Sequence, residues 1–298
     1  MFDIAKLHIY MNIIGETELI LTAEKKIYHL NLSKEDIADN ILLVGDPSRV
    51  DLISSKFDNI ECKVKNREFV THTGCLNGKR ISAISTGIGP DNMDIVINEL
   101  DALTNINFNT RKVNPKKKSL NLIRLGTSGS LQKNIEVDTL LASSYALGFD
   151  NIAHFYLDKS ILEKEINEAY LEHSKWSKEL STTYVVKASE NLLSLFKDLQ
   201  SGITATAPGF YGPQGRKLRL DTAVSKLHEK MGSFSFKNHQ ITNFEMETSA
   251  LYYLGQTLGH NTLTICSIIG NRVENKYSKN YKVIIEKMID LVIKRICY

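Results

Sequence analysis

Four apolar, β-branched runs in this chain stop abruptly at glycine-bearing turns, and stretches with helical spacing are interleaved among them. Asn40-Ile-Leu-Leu-Val44 gives way to Gly-Asp-Pro, and Arg80-Ile-Ser-Ala-Ile-Ser85 to Thr-Gly-Ile-Gly. Leu120-Asn-Leu-Ile-Arg-Leu125 ends at Gly-Thr-Ser-Gly, and the run Thr262 to Ile269 ends at Gly-Asn-Arg. Helices are predicted over Ser48–Lys56, Met93–Leu103, Glu247–Leu258 and Tyr281–Ile296. Strands alternating with helices dictate an α/β layer fold on a largely parallel sheet. Ligands of such folds bind beyond the carboxyl ends of the strands, where these glycine turns fall.

The rest of the chain narrows the class. At 298 residues with 42% hydrophobic and 24% charged residues it has the composition of a soluble globular protein. A net charge of +3 argues against nucleic acid or an anionic membrane as partner. No run approaches the ~20 apolar residues that cross a bilayer, and the Asp3–Lys6 region does not read as a secretory signal. Cys62, Cys75, Cys266 and Cys297 form no CxxC pair and no metal-like spacing with histidine. They read as reduced thiols in a cytoplasmic protein without a metal site. With no internal repeat and no long linker, one domain is expected over residues 27–298, after an extension of residues 1–26. Asn105–Lys118 reads as a solvated charged loop, and Asp158–Glu190 as a polar, helical excursion in which Trp176 packs.

Candidate site residues fall into three groups. Phe210-Tyr-Gly-Pro-Gln-Gly-Arg216 puts an amide (Gln214) and a guanidinium (Arg216) on a Gly/Pro-rich loop. Together they suit the polar edge of a flat heterocycle. Glu245-Met-Glu247 offers two carboxylates flanking a methionine, a grip for vicinal sugar hydroxyls under an apolar ring. Gly45-Asp-Pro-Ser-Arg49 opens a helix whose N-terminus attracts anions. Arg124 interrupts an apolar strand and needs an anionic partner, with Thr127 and the amides near Gly126 and Gly129 as further donors. Arg67 taken alone is an ordinary surface arginine. A base, a sugar and a phosphate held together point to nucleoside phosphorolysis.

In order and spacing, these pieces resemble the nucleoside phosphorylases of the hexameric class, most closely the uridine phosphorylases. The resemblance runs from Tyr28-His-Leu-Asn-Leu32 through Gly45–Val50, Arg67-Glu-Phe69, Ser85-Thr-Gly-Ile-Gly89, Arg124–Gly129, Phe210–Arg216 and Phe244–Glu247 to Asn271-Arg272. It implies a single-domain, three-layer α/β/α fold with a mixed, largely parallel central sheet. It further implies that Gly45, Arg49, Arg124 and Thr127 bind phosphate, with Arg67 supplied by a neighbouring subunit. His29 would likewise cross the interface to the ribose 5′-hydroxyl, beside Glu245, Met246 and Glu247 on the sugar. Phe210, Gln214, Arg216 and Arg272 would hold the base. Arg124, Gln214, Arg216 and Glu247 would carry catalysis. Phosphate is then a co-substrate, no organic cofactor or catalytic metal is needed, and Glu68 is a candidate ligand for a monovalent cation between subunits. The assembly implied is a homo-oligomer of at least dimers, usually a trimer of dimers.

Purine-specific relatives and the nucleosidases usually carry an aspartate where this chain reads Gly270-Asn271-Arg272. The missing acid, with Gln214 and Arg216, favours uridine, deoxyuridine or thymidine. A purine or methylthioadenosine enzyme of the same fold is the alternative, and a catalytically silent nucleoside-binding protein a second. Ser128 for a second threonine, and Gly87-Ile-Gly-Pro-Asp-Asn92, depart from the usual pattern. Arg124→Ala is expected to abolish turnover with little loss of folding.

Overall fold

The computed structural model describes residues 13–297, so the first part of the N-terminal extension lies outside the described residues. Ten strands carry the architecture: β1 (Asn40–Val44), β2 (Asn59–Asn66), β3 (Phe69–Leu76), β4 (Lys79–Ser85), β5 (Asn121–Ser130), β6 (Leu140–Gly148), β7 (Tyr184–Lys187), β8 (Gln200–Thr206), β9 (His239–Glu245) and β10 (Asn261–Asn271). Their order is β9-β8-β6-β10-β5-β1-β4-β3-β2, with β7 beside β6. Pairs β1–β4, β1–β5, β5–β10, β6–β8 and β8–β9 are parallel. Pairs β2–β3, β3–β4, β6–β7 and β6–β10 are antiparallel, so the sheet is mixed.

Among the described residues, five helices of seven residues or more flank it: α1 (Ser48–Ser54), α2 (Pro90–Asn105), α3 (Lys164–Ser174), α4 (Thr248–Thr257) and α5 (Tyr281–Cys297). Helices α2 and α4 pack on each other, α1 lies against β3 and β4, and α5 against β10. The result is the three-layer α/β/α arrangement. Central strands are apolar on both faces because helices cover both, as Ile41 to Val44 show by their complete burial.

Two strands run further than their glycines suggested. The Gly126-Thr-Ser-Gly129 stretch is not a turn but the second half of β5, paired with Cys266 to Gly270 of β10 across a register shift between Ile268 and Gly270. Beside it, β1 pairs only as far as Leu43 opposite Arg124. Strand β9 then meets the same edge in antiparallel sense at Gly129 and Ser130. That contact closes β5, β10, β6, β8 and β9 into a ring, and it leaves a gap along β5 between Arg124 and Gly129. The gap is where the cavity opens.

The periphery also corrects the sequence reading. Asn105–Lys118 is not a bare solvated loop: Ile106–Asn107 and Lys112–Val113 pair as a hairpin. Arg111 at its tip donates from Nε to the Ile14 carbonyl (2.7 Å) and from Nη2 to Gly15 (2.7 Å) and Leu19. The described part of the extension is therefore strapped to the hairpin, and Leu19 and Ile27 join the main core. Trp176 packs as expected, 4.9 Å from the Phe149 ring.

Candidate active site

A cavity of about 920 Å³ occupies the gap, lined by the ends of β1, β5, β9 and β10 and by the Phe210–Arg216 loop. Gly45, Arg49, Arg124, Thr127, Phe210, Gln214, Arg216, Glu245, Met246, Glu247 and Arg272 all contribute to its wall. The chain thus brings together eleven predicted residues from five separate segments.

At one end sit Arg124, which is buried, and Arg49, which is partly buried. Arg49, in the first turn of α1, donates from Nη1 to the Leu125 carbonyl on the unpaired edge of β5 (3.1 Å). Arg124 projects from β5 itself, and Gly126 makes room for it: a Cβ there would fall 2.6 Å from Arg124 Nη1. One nitrogen of Arg124, Nη2, pairs with Glu247 and lies 3.7 Å from Glu245. Its Nε and Nη1 are buried without a hydrogen-bond partner among the described residues. Such orphaned charged donors call for an acceptor. Burial opposes the charge of Arg124, but Glu247 and Glu245 outweigh it and hold its pKa above the usual value. Burial and the like charge of Arg124 push that of Arg49 down. The Thr127 side chain forms no hydrogen bond among the described residues, whereas Ser128 Oγ accepts from Asn243 Nδ2 (2.8 Å). An oxyanion at this corner would meet two guanidiniums and a free hydroxyl.

Glu247 is the pivot between this corner and the rest. It precedes α4, and one oxygen accepts from Gly89 N–H (2.8 Å) while the other meets Arg124. Gly89 adopts φ +105°, a conformation side chains disfavour, so only glycine presents its N–H there without strain. Glu245 lies deeper. Its carboxylate accepts from Thr206 Oγ1 (2.8 Å), Glu247 N–H (3.0 Å) and Thr248 N–H (3.1 Å). Most of its accepting capacity is used by its own chain.

The opposite end is aromatic and cationic. Arg216 lies 3.9 Å from the Phe210 ring centroid and 5.1 Å from that of Phe244. Its Nη1 donates to Phe210 O (2.7 Å) and to Gln214 Oε1. Arg272 lies 5.9 Å from the centroid of the same Phe244 ring. Neither arginine has an ion pair among the described residues, and burial with the nearby Arg272 lowers Arg216 to about 10. Phe244, the shared floor under both, carried no role in the sequence reading. Nothing in the sequence of β9 singles it out, because the strand mixes polar and apolar residues without alternation.

Asn271, which stands where purine-specific relatives usually carry an aspartate, is held by the turn after β10. Its Nδ2 donates to Gln132 O (2.9 Å) and Ile135 O (2.8 Å), and its Oδ1 accepts from Val273 and Glu274 N–H (2.9 Å each). The amide is fully engaged in the turn after β10 and has nothing left for a base. Two carbonyls facing one group require a donor, so an ionised aspartate would be repelled here.

Arg67 and His29 do not reach the cavity of their own chain. They share an outer patch: Arg67, at φ +54°, lies 5.7 Å from the Tyr28 ring. His29 Nδ1 is 2.7 Å from Glu99 Oε1, and Asn66 Nδ2 donates to the His29 carbonyl (2.8 Å). Glu68, the candidate cation ligand, lies near Gly87, where an added Cβ would come 3.3 Å from its Cγ. Among the described residues no cluster of three or more acidic, histidine or cysteine side chains is placed to hold a metal ion. Nor is any described helix long and apolar enough to cross a membrane.

With this geometry in hand, the similarities are informative. The sequence profile of the phosphorylase superfamily matches residues 40–296. The chain belongs to that superfamily. It is 30% identical over 267 residues to a uridine phosphorylase of Thermococcus kodakarensis, covering 87% of this chain and 82% of the relative. It is 28% identical over 246 residues to a DeoD-type purine nucleoside phosphorylase of Bacillus velezensis, covering 80% and 85%. Among solved structures, a Trypanosoma brucei nucleoside phosphorylase with uridine phosphorylase activity superposes with a TM-score of 0.84 at 28% identity, covering 93% of this chain and 98% of its own. The protein is an enzyme of the nucleoside phosphorylase kind; both base classes occur among its relatives.

Proposed function

We propose that this protein catalyses the reversible phosphorolysis of uridine, with deoxyuridine or thymidine as further substrates, to uracil or thymine and a pentose 1-phosphate. The observation that carries the reading is one cavity with three chemically distinct ends. Arg49 and Arg124 form an anion corner, Glu247 sits between, and Gln214, Arg216 and Arg272 surround an aromatic floor without any acid. The T. kodakarensis and T. brucei relatives support the same choice of base.

Phosphate in the corner lies against the unpartnered Nε and Nη1 of Arg124, beside Glu247. Glu247, anchored by Gly89 N–H and Arg124, accepts from the sugar hydroxyls and fixes the anomeric carbon over the phosphate. As the glycosidic bond lengthens, positive charge grows on the sugar and negative charge on the base. The phosphate answers the first and Arg216 with Gln214 the second, in a site whose dipoles are already oriented. For a base that departs as an anion, two arginines without counterions are the right environment. A purine leaving through a protonated ring nitrogen would need an acid, and the Asn271 turn excludes one. Arg67 and His29 reach a neighbouring copy's cavity in this reading, making a homo-oligomer the active form.

The test is release of base from uridine, thymidine and inosine, with and without phosphate, followed by ultraviolet difference spectra. Phosphate-dependent release from uridine is expected. Release from inosine alone would transfer the protein to the purine branch, and release without phosphate would overturn phosphorolysis.

A further inference from the structure

Two buried carboxylates share one guanidinium in this site. Arg124 faces Glu247 directly and Glu245 at 3.7 Å, and the three are only 3–5% exposed. Arg49 is the second cation of the corner. The formal charges of Arg49, Arg124, Glu245 and Glu247 sum to zero in the empty site. A divalent oxyanion arriving there leaves two negative charges in excess where water solvates them poorly. A buried carboxylate relieves such an excess by gaining a proton.

The two carboxylates are not equivalent in this respect. Glu247 touches Arg124 and Gly89 N–H, and both contacts favour its ionised form. Glu245 is farther from the cation, beside a like charge, and closed off by β8, β9 and α4. The other titratable groups facing it are neutral: Cys266 on β10, raised to about 12 by burial, and Tyr252 on α4, also raised by burial. Asp150, after β6, is separated from it by Thr206 and Ser249, which bond to each carboxylate in turn.

We propose that Glu245 takes up a proton from solvent as an oxyanion enters the Arg49–Arg124 corner, and is the charge-balancing residue of that corner instead of a ligand of the sugar. The inference rests on reading the corner as an oxyanion site. An O–H bond forms at Oε1, and the Thr206 hydroxyl, now its donor, turns to accept. Burial, opposed by Arg124 and reinforced by Glu247, already raises the Glu245 pKa to about 7 in the empty site. The proton is therefore within reach near neutrality.

Sulfate is the probe, because it carries the same charge throughout the pH range of interest. Calorimetric titration in buffers of different ionisation enthalpy counts the protons that accompany binding. The wild-type protein is expected to take up about half a proton or more per sulfate between pH 7 and 8, and to bind it roughly five-fold more weakly at the upper end. Glu245→Gln is expected to bind sulfate without uptake, with a flat pH profile and more tightly than wild type at pH 8. Sulfate binding by wild type without proton uptake overturns the proposal, and that measurement does not depend on any variant folding. Uptake retained in Glu245→Gln overturns it as well, by assigning the proton elsewhere. No sulfate binding at all removes the oxyanion corner and the proposal with it.

Discussion

Removing the Arg124 side chain should damage both turnover and stability, and the second effect is the more diagnostic. The sequence alone led to the expectation that Arg124→Ala would fold almost normally. The structure gives a different answer, because Arg124 is the common counterion of Glu245 and Glu247, both nearly inaccessible to solvent. Breaking a buried pair by deleting one partner costs about 3–5 kcal/mol. Arg49 remains nearby and the cavity admits water, which places this site near the lower end of that range. Each kcal/mol moves the melting temperature by roughly 2–4 °C in a chain of this size, so a fall on the order of 6–12 °C is expected. The assay is thermal unfolding by circular dichroism at neutral pH, alongside phosphate-dependent base release. Turnover should fall by about 10²–10³ or more through loss of an aimed donor. Adding Glu245→Gln to Arg124→Ala should restore part of the lost stability, since it removes one stranded charge. Wild-type melting of Arg124→Ala, or a double variant whose losses simply add, would refute the shared-counterion argument.

Glu247→Gln should change the ratio of activities on uridine and 2′-deoxyuridine, whereas Glu245→Gln should lower both alike; steady-state kinetics on the two substrates decides. Gly89→Ala forces a side chain into φ +105° and brings its Cβ within 2.7 Å of Asp91 Oδ1. A stability loss of about 1–3 kcal/mol with a raised KM for the nucleoside is expected, read from denaturant midpoints and kinetics. The raised pKa of Glu245 also makes the empty enzyme pH-sensitive. Between the ordinary carboxyl value of 4.5 and about 7 the folded state holds a proton that the unfolded state has lost. Stability should therefore fall as pH rises through that window, on the order of 2–3 kcal/mol in total. Denaturant midpoints at pH 5 and pH 8 without phosphate measure it, and Glu245→Gln should flatten the difference.

Much of the fold was legible because its apolar runs are long and end sharply. The helices over 48–54, 90–105, 248–257 and 281–297 fall close to their expected spans. Strands β6, β8 and β9 were not read, since they mix small and polar residues such as Ser143, Ser144, Thr204 and Asn243. Those polar atoms are satisfied by one another across strands, as Thr204 Oγ1 and Asn243 Oδ1 show at 2.9 Å. Only the folded chain reveals that pairing. The glycines of β5 were read as a turn because sequence gives no sign that a neighbouring strand stops short. Most of the residues that line the cavity were legible by chemistry, but the contacts they make were not. Asn271 is claimed by a turn, Glu245 by the start of α4, and Phe244 lies beside both Arg216 and Arg272. Each depends on contacts between segments far apart in sequence.

Phosphorus nuclear magnetic resonance of a mixture of protein, uridine and inorganic phosphate tests the central claim most directly. A pentose 1-phosphate resonance should grow in step with uracil, while the inorganic phosphate signal declines by the same amount. Uracil accumulating with free ribose, and phosphate left untouched, would contradict an anion corner that delivers the nucleophile.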